Sequence, residues 1–189
     1  MSHRLSTIVA AGILLVAAAA PAAESTPVIK ARSAILFDAN TGRVLFKKNE
    51  NERMPIASTQ KLLTALLVAE AGNLDQKVTI KTSDTKVEPT KLYLKAGESY
   101  TRRQLLAAMM VRSFNDVACA LARDYSGSVE AFCERMNARM KRLGGNDSNF
   151  RNPHGLPDDA QYSTARDIAR VARAAYFNPT LRLMMSAKS

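Results

Sequence analysis

An apolar run just after Pro55 is the feature that most constrains how this chain can fold. Its leucines recur at the spacing of one helical face, at positions 62, 63, 66 and 67. Proline is tolerated at the start of a helix but not in its middle, so the helix should begin just after Pro55 and end near Gly72. Ser58 then lies in the first turn, with Lys61 one turn later on the same face.

The spacing of Ser58 and Lys61 is that of a nucleophile and its base. A serine hydroxyl is a weak nucleophile unless a neighbouring group takes its proton, and an amine can do so when burial or a second cation lowers its pKa. The helix N-terminus adds positive potential where charge would develop on the reacting oxygen. The same residues also fit a plainer role, because serine is a common N-cap and lysine is common on helix surfaces.

Residues 1–23 have the layout of a secretory signal peptide. One arginine precedes an apolar run over residues 8–20, and small residues suited to cleavage follow it. The run is short for a membrane span, which leaves an uncleaved anchor as the alternative. We therefore expect an exported protein, in the periplasm or on the extracytoplasmic face of the cell envelope, with a linker at 24–32 and one domain at 33–189.

The formal net charge of the chain is +10 at pH 7. A chain this basic could bind a nucleic acid, but the expected export of the protein argues against that partner. An anionic envelope matches it better, as a membrane surface, wall polymers or a substrate that ends in carboxylates. A basic surface that is merely solvated explains the same residues equally well.

Two cysteines, Cys119 and Cys133, belong to no C-x-x-C pair and no Cys/His cluster, so neither a zinc site nor a redox site is expected. They lie almost symmetrically about residues 126–128, which we interpret as the turn between two helices. Antiparallel helices could bring the thiols together, and an oxidising compartment would permit a disulfide. Two buried free thiols are the alternative, since the spacing does not establish that the Cβ atoms meet.

The rest of the pattern predicts a mostly helical chain with one hairpin in front. Strand-like stretches at 33–38 and 43–47 flank turn residues at 40–42. Residues 78–80 and 92–94 are expected to be short extended pieces. Cap chemistry predicts further helices after Thr101, after residues 113–116, after Ser128 and after Thr164.

A second polar motif, Ser113-Phe-Asn115, is predicted between two helices, where its side chains can point into a cleft. The Ser113 hydroxyl can relay a proton, and the Asn115 amide can bind a substrate amide or hold Lys61 in place. Two further blocks follow, Asn-Pro-His-Gly-Leu at 152–156 and Tyr-Ser-Thr-Ala-Arg-Asp at 162–167.

In this order, these blocks resemble the penicillin-recognising serine D-alanyl-D-alanine carboxypeptidases, the low-molecular-mass penicillin-binding proteins. The likeness runs from about Ile29 to the C-terminus and includes Leu-Lys-Ala-Gly-Glu at 94–98. It implies an α+β fold of the β-lactamase/transpeptidase type, with a helical region plus an N-terminal β-hairpin of an antiparallel sheet. The C-terminal strands of that sheet are absent, so residues 33–189 would be a truncated form of the domain.

The resemblance also implies roles for the candidate residues. Ser58 would be the acylated nucleophile and Lys61 its proton acceptor. Ser113 would pass the proton to the leaving D-alanine, and Asn115 would orient the substrate. No metal and no cofactor would be needed. The substrates would be peptidoglycan stem peptides ending in D-Ala-D-Ala, and β-lactam antibiotics would be covalent inhibitors.

Two other catalytic interpretations are rejected. His154 lies in a loop bounded by proline and glycine, to which the resemblance gives a structural role, so a Ser58–His154 triad is not expected. Class A β-lactamases need a glutamate that primes the deacylating water, and no matching E-x-x-N follows Ser113. Antibiotic hydrolysis is therefore the lesser enzymatic interpretation.

The family's third motif, K-T-G or K-S-G on a core strand, is not found in the sequence, and Lys-Thr-Ser at 81–83 precedes the Ser-x-Asn motif. In the family that strand binds the terminal carboxylate of the substrate and completes the oxyanion hole with the Ser58 N–H. Two hypotheses follow: a carboxypeptidase domain that is active only when completed, and a truncated, catalytically inactive envelope protein of the same family. The same gap predicts an unpaired hairpin edge and an uncovered apolar face.

Overall fold

Helix α1 (Lys61–Ala71) lies at the centre of the computed structural model, which describes residues 28–186. It contacts all five of the other helices: α2 (Arg102–Arg112), α3 (Asn115–Ser126), α4 (Val129–Arg142), α5 (Ala165–Phe177) and α6 (Pro179–Met185). Its apolar side chains are buried on more than one side, including Leu63, Ala65 and Leu66. The helix ends at Gly72, as the sequence predicts.

The start of this helix differs from the prediction. A 3₁₀ turn, Ala57–Gln60, precedes α1, so Ser58 lies in the tight turn and not in the first α-helical turn. Ala57 is left-handed, with φ of 48°. A non-glycine residue in this region is strained by roughly 1 kcal/mol, and such strain persists only where the surroundings enforce it.

The predicted hairpin is present as β1 (Ala34–Phe37) and β2 (Val44–Lys48), which pair antiparallel. Helix α5 packs on β1, and Arg173 donates to the backbone oxygens of the hairpin turn at Ala39 and Asn40. Leu36 and Leu45 are nevertheless 55% and 51% exposed. The helices therefore cover only part of the hairpin, which leaves the apolar surface that the sequence predicts.

A second two-stranded sheet was not predicted. Strand β3 (Lys77–Thr79) matches one of the expected extended pieces and pairs antiparallel with β4 (Ser99–Thr101). The prediction that residues 92–94 are extended is wrong. They form no strand, and Tyr93 is left-handed, with φ of 59°. Both outcomes depend on partners that are distant in sequence, strand β4 for β3 and the Asp116 carboxylate for residues 92–94, which local pattern does not encode.

The helix starts follow the predicted caps. The Thr101 hydroxyl accepts from the Gln104 N–H at 3.2 Å, Ser128 accepts from Ala131 at 3.1 Å, and Thr164 accepts from Asp167 at 3.1 Å. Helix α6 was missed. Asn178 caps it and proline occupies its first position, so the Asn-Pro pair both ends α5 and begins the next helix.

The structure has Cys119 and Cys133 as free, buried thiols, not as a disulfide. Burial raises the pKa of Cys119 to about 12 and that of Cys133 to about 11. The observed arrangement is therefore the alternative of two buried free thiols.

The described residues from Ala31 onward form one compact unit. The expected signal peptide, residues 1–23, and the first four residues of the expected linker, 24–27, lie outside the described residues. Within residues 28–186, none of the helices combines the length and the apolar character needed to cross a membrane.

Candidate active site

Ser58 and Lys61 are in direct contact. The Lys61 ammonium donates to Ser58 Oγ at 3.1 Å and to the backbone oxygen of His154 at 2.9 Å. Ser58 is exposed to solvent, whereas only 4% of Lys61 is exposed. A reachable hydroxyl and a buried amine therefore meet where the 3₁₀ turn joins α1.

Burial lowers the pKa of Lys61 to about 8, against a smaller opposing effect of the nearby Cys119 thiol. An amine with this pKa is neutral in an appreciable fraction of molecules near neutral pH, and a neutral amine can accept a proton from a hydroxyl. Of the two causes that the sequence analysis offered, burial is therefore the one that operates.

The loop that follows α4 is pressed against the turn that carries Ser58. A Cβ atom added at Gly155 would lie 1.9 Å from the Ala57 backbone oxygen, and this glycine has φ of +88°. Thr64 donates to the Pro153 backbone oxygen at 2.6 Å, and the Gln60 side chain donates to that of Asn152. The loop thereby holds the His154 carbonyl against Lys61, a contact that the sequence analysis missed.

The His154 ring takes no part in this contact. Its Nδ1 accepts from the Leu156 N–H at 3.2 Å, and burial, followed by the neighbouring Lys61 charge, lowers its pKa to about 4. The imidazole is therefore neutral and bonded within its own loop. These contacts support the structural role predicted for His154 over the role of a base in a triad.

Ser113 lies at the end of α2 in the left-handed conformation, with φ of 61°. With Ser58 and Lys61 it lines a cleft of about 290 Å³, which we call the catalytic cleft. The other walls are mainly apolar: Leu62, Met109, Met110 and Ile168. Three of the four predicted site residues thus converge on one space.

Asn115 is placed differently from the other three. It is 3% exposed, is not among the described residues that line the catalytic cleft, and donates from Nδ2 to the Pro89 backbone oxygen at 2.6 Å. Its Oδ1 is buried and finds no hydrogen-bond partner within residues 28–186. Of the two roles that the sequence suggested for this amide, the contact with Lys61 is therefore not formed. The amide holds the 89–94 segment instead, and its acceptor has no partner within residues 28–186.

Asp116 is a second residue that the sequence analysis missed. It is fully buried, and its carboxylate accepts from the Leu92 N–H at 3.0 Å and from the Leu94 N–H at 3.2 Å. The first turn of α3 therefore holds the 89–94 segment through both Asn115 and Asp116. The sequence shows Asp116 directly after the Ser-x-Asn motif. Its partners are backbone N–H groups, however, and no residue type marks such a partner in advance.

Ser58 also borders a second, larger cleft of about 540 Å³, which we call the outer cleft. Two stretches line it: residues 53–58, which lead into the 3₁₀ turn, and most of 155–162, which follow His154. No group of three or more His, Cys, Asp or Glu side chains within residues 28–186 could hold a metal ion.

The family model for D-alanyl-D-alanine carboxypeptidase, Peptidase_S11, matches residues 20–186. A D-alanyl-D-alanine carboxypeptidase of Streptomyces sp. strain K15 is 36% identical over 97% of this chain and 69% of its own length. The chain belongs to this family. The carboxypeptidase DacF of Bacillus subtilis is 37% identical, but over 76% of this chain and only 38% of the relative.

Solved structures of the D-alanyl-D-alanine carboxypeptidase family confirm the α+β, transpeptidase-like fold. The carboxypeptidase DacD of Francisella tularensis superposes with a TM-score of 0.82 and 34% identity, over 86% of this chain and 41% of that protein. Penicillin binding protein 6B of Escherichia coli superposes with a TM-score of 0.83 and 32% identity, over 89% and 57%. This chain therefore corresponds to part of these longer carboxypeptidase-family proteins.

Proposed function

We propose that this chain is a serine-type D-alanyl-D-alanine carboxypeptidase, which trims the terminal D-alanine from peptidoglycan stem peptides through an acyl-enzyme on Ser58. The observation that carries the proposal is the 3.1 Å contact between Lys61 Nζ and Ser58 Oγ, made by an amine whose pKa burial lowers to about 8. Family membership and the names of the relatives support the same reaction.

The proposed reaction uses only side chains that line the catalytic cleft. Neutral Lys61 takes the proton of Ser58 as its Oγ attacks the carbonyl carbon of the scissile amide. Ser113 passes a proton to the nitrogen of the departing D-alanine. Water then hydrolyses the ester on Ser58 and releases the shortened peptide. Asn115, which does not line this cleft, is assigned to substrate orientation through its hold on the 89–94 segment.

The same serine would be acylated by β-lactams as covalent inhibitors, in keeping with relatives that are named penicillin binding proteins. We place the protein outside the cytoplasm, in the periplasm or on the extracytoplasmic face of the envelope, because residues 1–23 have a signal-peptide layout. The net charge of +10 favours an anionic membrane surface nearby.

Labelling with a fluorescent penicillin tests the proposal directly. We expect the purified chain to form a covalent adduct that is stable in denaturing gels, and we expect Ser58→Ala to form none. Lys61→Ala should be acylated roughly a hundredfold or more slowly, which is the usual contribution of a general base. A folded chain that takes up no label, or a Lys61→Ala variant labelled as fast as its parent, contradicts the proposed mechanism.

The catalytically inactive family member is the second candidate, and the labelling experiment separates it from the first. The sequence contains no K-T-G or K-S-G, and Lys81 and Ser83 belong to a 3₁₀ turn (Thr82–Lys86) or its cap, away from the residues that line the catalytic cleft. Loss of one oxyanion donor alone slows a serine enzyme roughly a hundred- to thousandfold. A well-folded chain with no adduct would select this candidate.

A further inference from the structure

The peptide group between His154 and Gly155 is hydrogen-bonded on both of its edges. On one edge, the His154 oxygen accepts from Lys61 Nζ at 2.9 Å. On the other edge, the Gly155 N–H donates to Asn152 Oδ1 at 2.7 Å. This peptide bond is trans and planar, so its oxygen and its N–H point in opposite directions. A side chain that fixes the N–H therefore also fixes where the oxygen points.

The Asn152 side chain uses both ends of its amide within this loop. Its Oδ1 also accepts from the His154 N–H at 3.2 Å, and its Nδ2 donates to the Leu156 oxygen at 2.9 Å. Two buried glutamines hold the Asn152 backbone: its N–H donates to Gln161 Oε1 at 3.1 Å, and its oxygen accepts from Gln60. Because Gln60 belongs to the 3₁₀ turn, the amide is held in place against the turn that carries the nucleophile.

The direction of the His154 oxygen matters because of what a neutral Lys61 has to do. A neutral amine has two N–H groups and one lone pair, and only the lone pair can take the proton of Ser58. The His154 oxygen can only accept, so it takes one N–H and leaves the lone pair for the serine. If this oxygen turned away, the amine could rotate and present an N–H to Ser58 Oγ instead of its lone pair.

We propose that Asn152 is a positioning residue for the acylation step: its amide sets the direction of the His154 carbonyl and thereby the orientation of the Lys61 amine. Among the described residues, Asn152 lines neither the catalytic cleft nor the outer cleft, so it acts through the peptide group and not on the substrate. This role rests on the proposed function, since it takes Lys61 as the base.

The limiting rate of acylation separates positioning from a merely structural role. The rate constant for labelling by a fluorescent penicillin is measured from pH 6 to pH 10, scaled to the folded fraction, and fitted for its limiting value at high pH. Asn152→Ala is compared with Asn149→Ala. Asn149 is the matched control, because it is also half-buried and its Nδ2 also donates to a backbone oxygen, that of Ala160 at 2.7 Å.

We expect the limiting rate to fall roughly ten- to a hundredfold in Asn152→Ala, which is the cost of a misplaced catalytic group, and to stay within about twofold of the parent in Asn149→Ala. A structural role alone would lower the stability of both variants and leave the limiting rate of the folded chain unchanged. Equal limiting rates in the two alanine variants would overturn the assignment.

A second measurement needs no turnover and no loss of the turn. Aspartate forms the same side-chain turn as asparagine, so Asn152→Asp should fold even where Asn152→Ala does not. The Cε resonance of Lys61, identified by its loss in Lys61→Ala, is followed by NMR over pH in the parent, in Asn152→Asp and in Asn149→Asp. The other titratable groups beside this amine, the Cys119 thiol and the His154 imidazole, are neutral near pH 8, with pKa values of about 12 and about 4.

The new carboxylate at position 152 makes the His154 oxygen a stronger acceptor through the aligned peptide, which favours the ammonium form of Lys61. We expect the Lys61 midpoint to rise by about half a pH unit or more in Asn152→Asp, and by less than half as much in Asn149→Asp. The same midpoint in both aspartate variants would also overturn the assignment.

The two measurements separate this assignment from the proposed function. A parent chain that takes up no penicillin loses the proposed function, and the Lys61 titration still decides whether Asn152 acts on the amine. A parent chain that is acylated, with equal limiting rates in the two alanine variants, keeps the proposed function and loses the role of Asn152.

Discussion

The pH dependence of Ser58 acylation is the sharpest test of the arrangement around Lys61. Only the neutral amine can accept the serine proton, so the rate should follow its fraction. With a pKa of about 8, that fraction is roughly 9% at pH 7 and roughly 91% at pH 9, a rise of about tenfold. An unperturbed lysine, with its pKa near 10.4, would give a rise of about a hundredfold over the same range.

The assay is the rate constant for adduct formation with a fluorescent penicillin, measured at half-unit steps from pH 6 to pH 10. We expect the rate to rise tenfold per pH unit at the acidic end and to level off above about pH 8 to 9. The Lys61→Ala variant supplies the control, because its residual rate should lose this inflection. Spontaneous hydrolysis of the antibiotic is subtracted from a sample that contains the Ser58→Ala variant.

A rate still rising tenfold per unit at pH 9.5 would show that burial does not perturb Lys61, and a flat profile from pH 6 to pH 9 would show that the amine is not the base. The same shift predicts a stability effect. The unfolded chain holds the Lys61 proton more tightly, so stability should rise with pH between about 8 and 10.4. Against Lys61→Met, the parent should gain about 2 to 3 kcal/mol between pH 7 and pH 10.

Three further predictions concern the surroundings of the site. Gly155→Ala should lower the unfolding free energy, measured by urea denaturation, by about 3 kcal/mol or more, because its Cβ would lie 1.9 Å from a backbone oxygen. Gly144→Ala is the control, since this glycine is also left-handed but faces only a flexible arginine, and it should lower the unfolding free energy by about 1 to 2 kcal/mol. Asp116→Ala should cost about 2 kcal/mol or more and speed hydrogen exchange at the Leu92 and Leu94 amides, and unchanged exchange would contradict the role given to its carboxylate. A disulfide reagent at pH 8 should modify the two cysteines slowly in the folded chain and both at once in guanidinium, while no reaction after unfolding would indicate a disulfide.

Local chemistry made much of this fold predictable from sequence. The leucine spacing gave α1, and side-chain caps at Thr101, Ser128 and Thr164 gave three helix starts, because each cap acts on a backbone N–H only three residues away. The hairpin followed from its turn residues. The pairing of β3 with β4 was missed because it joins residues 20 to 24 positions apart.

The candidate site also has one part that the sequence predicts and another part that it does not. The contact between Ser58 and Lys61 follows from helical spacing, so a pattern in the sequence predicts it. The second partner of Lys61 is a backbone oxygen, and every residue carries one, so no residue type marks the His154 carbonyl in advance. Residue chemistry gave Asn115 two alternatives, a substrate amide or Lys61 as its partner, yet it donates to the Pro89 oxygen, which local reasoning had no means to foresee.

The contact between Lys61 and the His154 carbonyl joins groups 93 residues apart. During synthesis, the serine and its lysine emerge long before the loop that places the His154 carbonyl against the amine. Until that loop docks, Lys61 remains hydrated and protonated, and the serine beside it lacks a base. Activation of the nucleophile therefore comes late in folding, because it depends on a contact between groups that are distant in sequence. A chain that is released or stalled before residue 155 contains the Ser-x-x-Lys sequence, but it has no docked loop to place a carbonyl against Lys61.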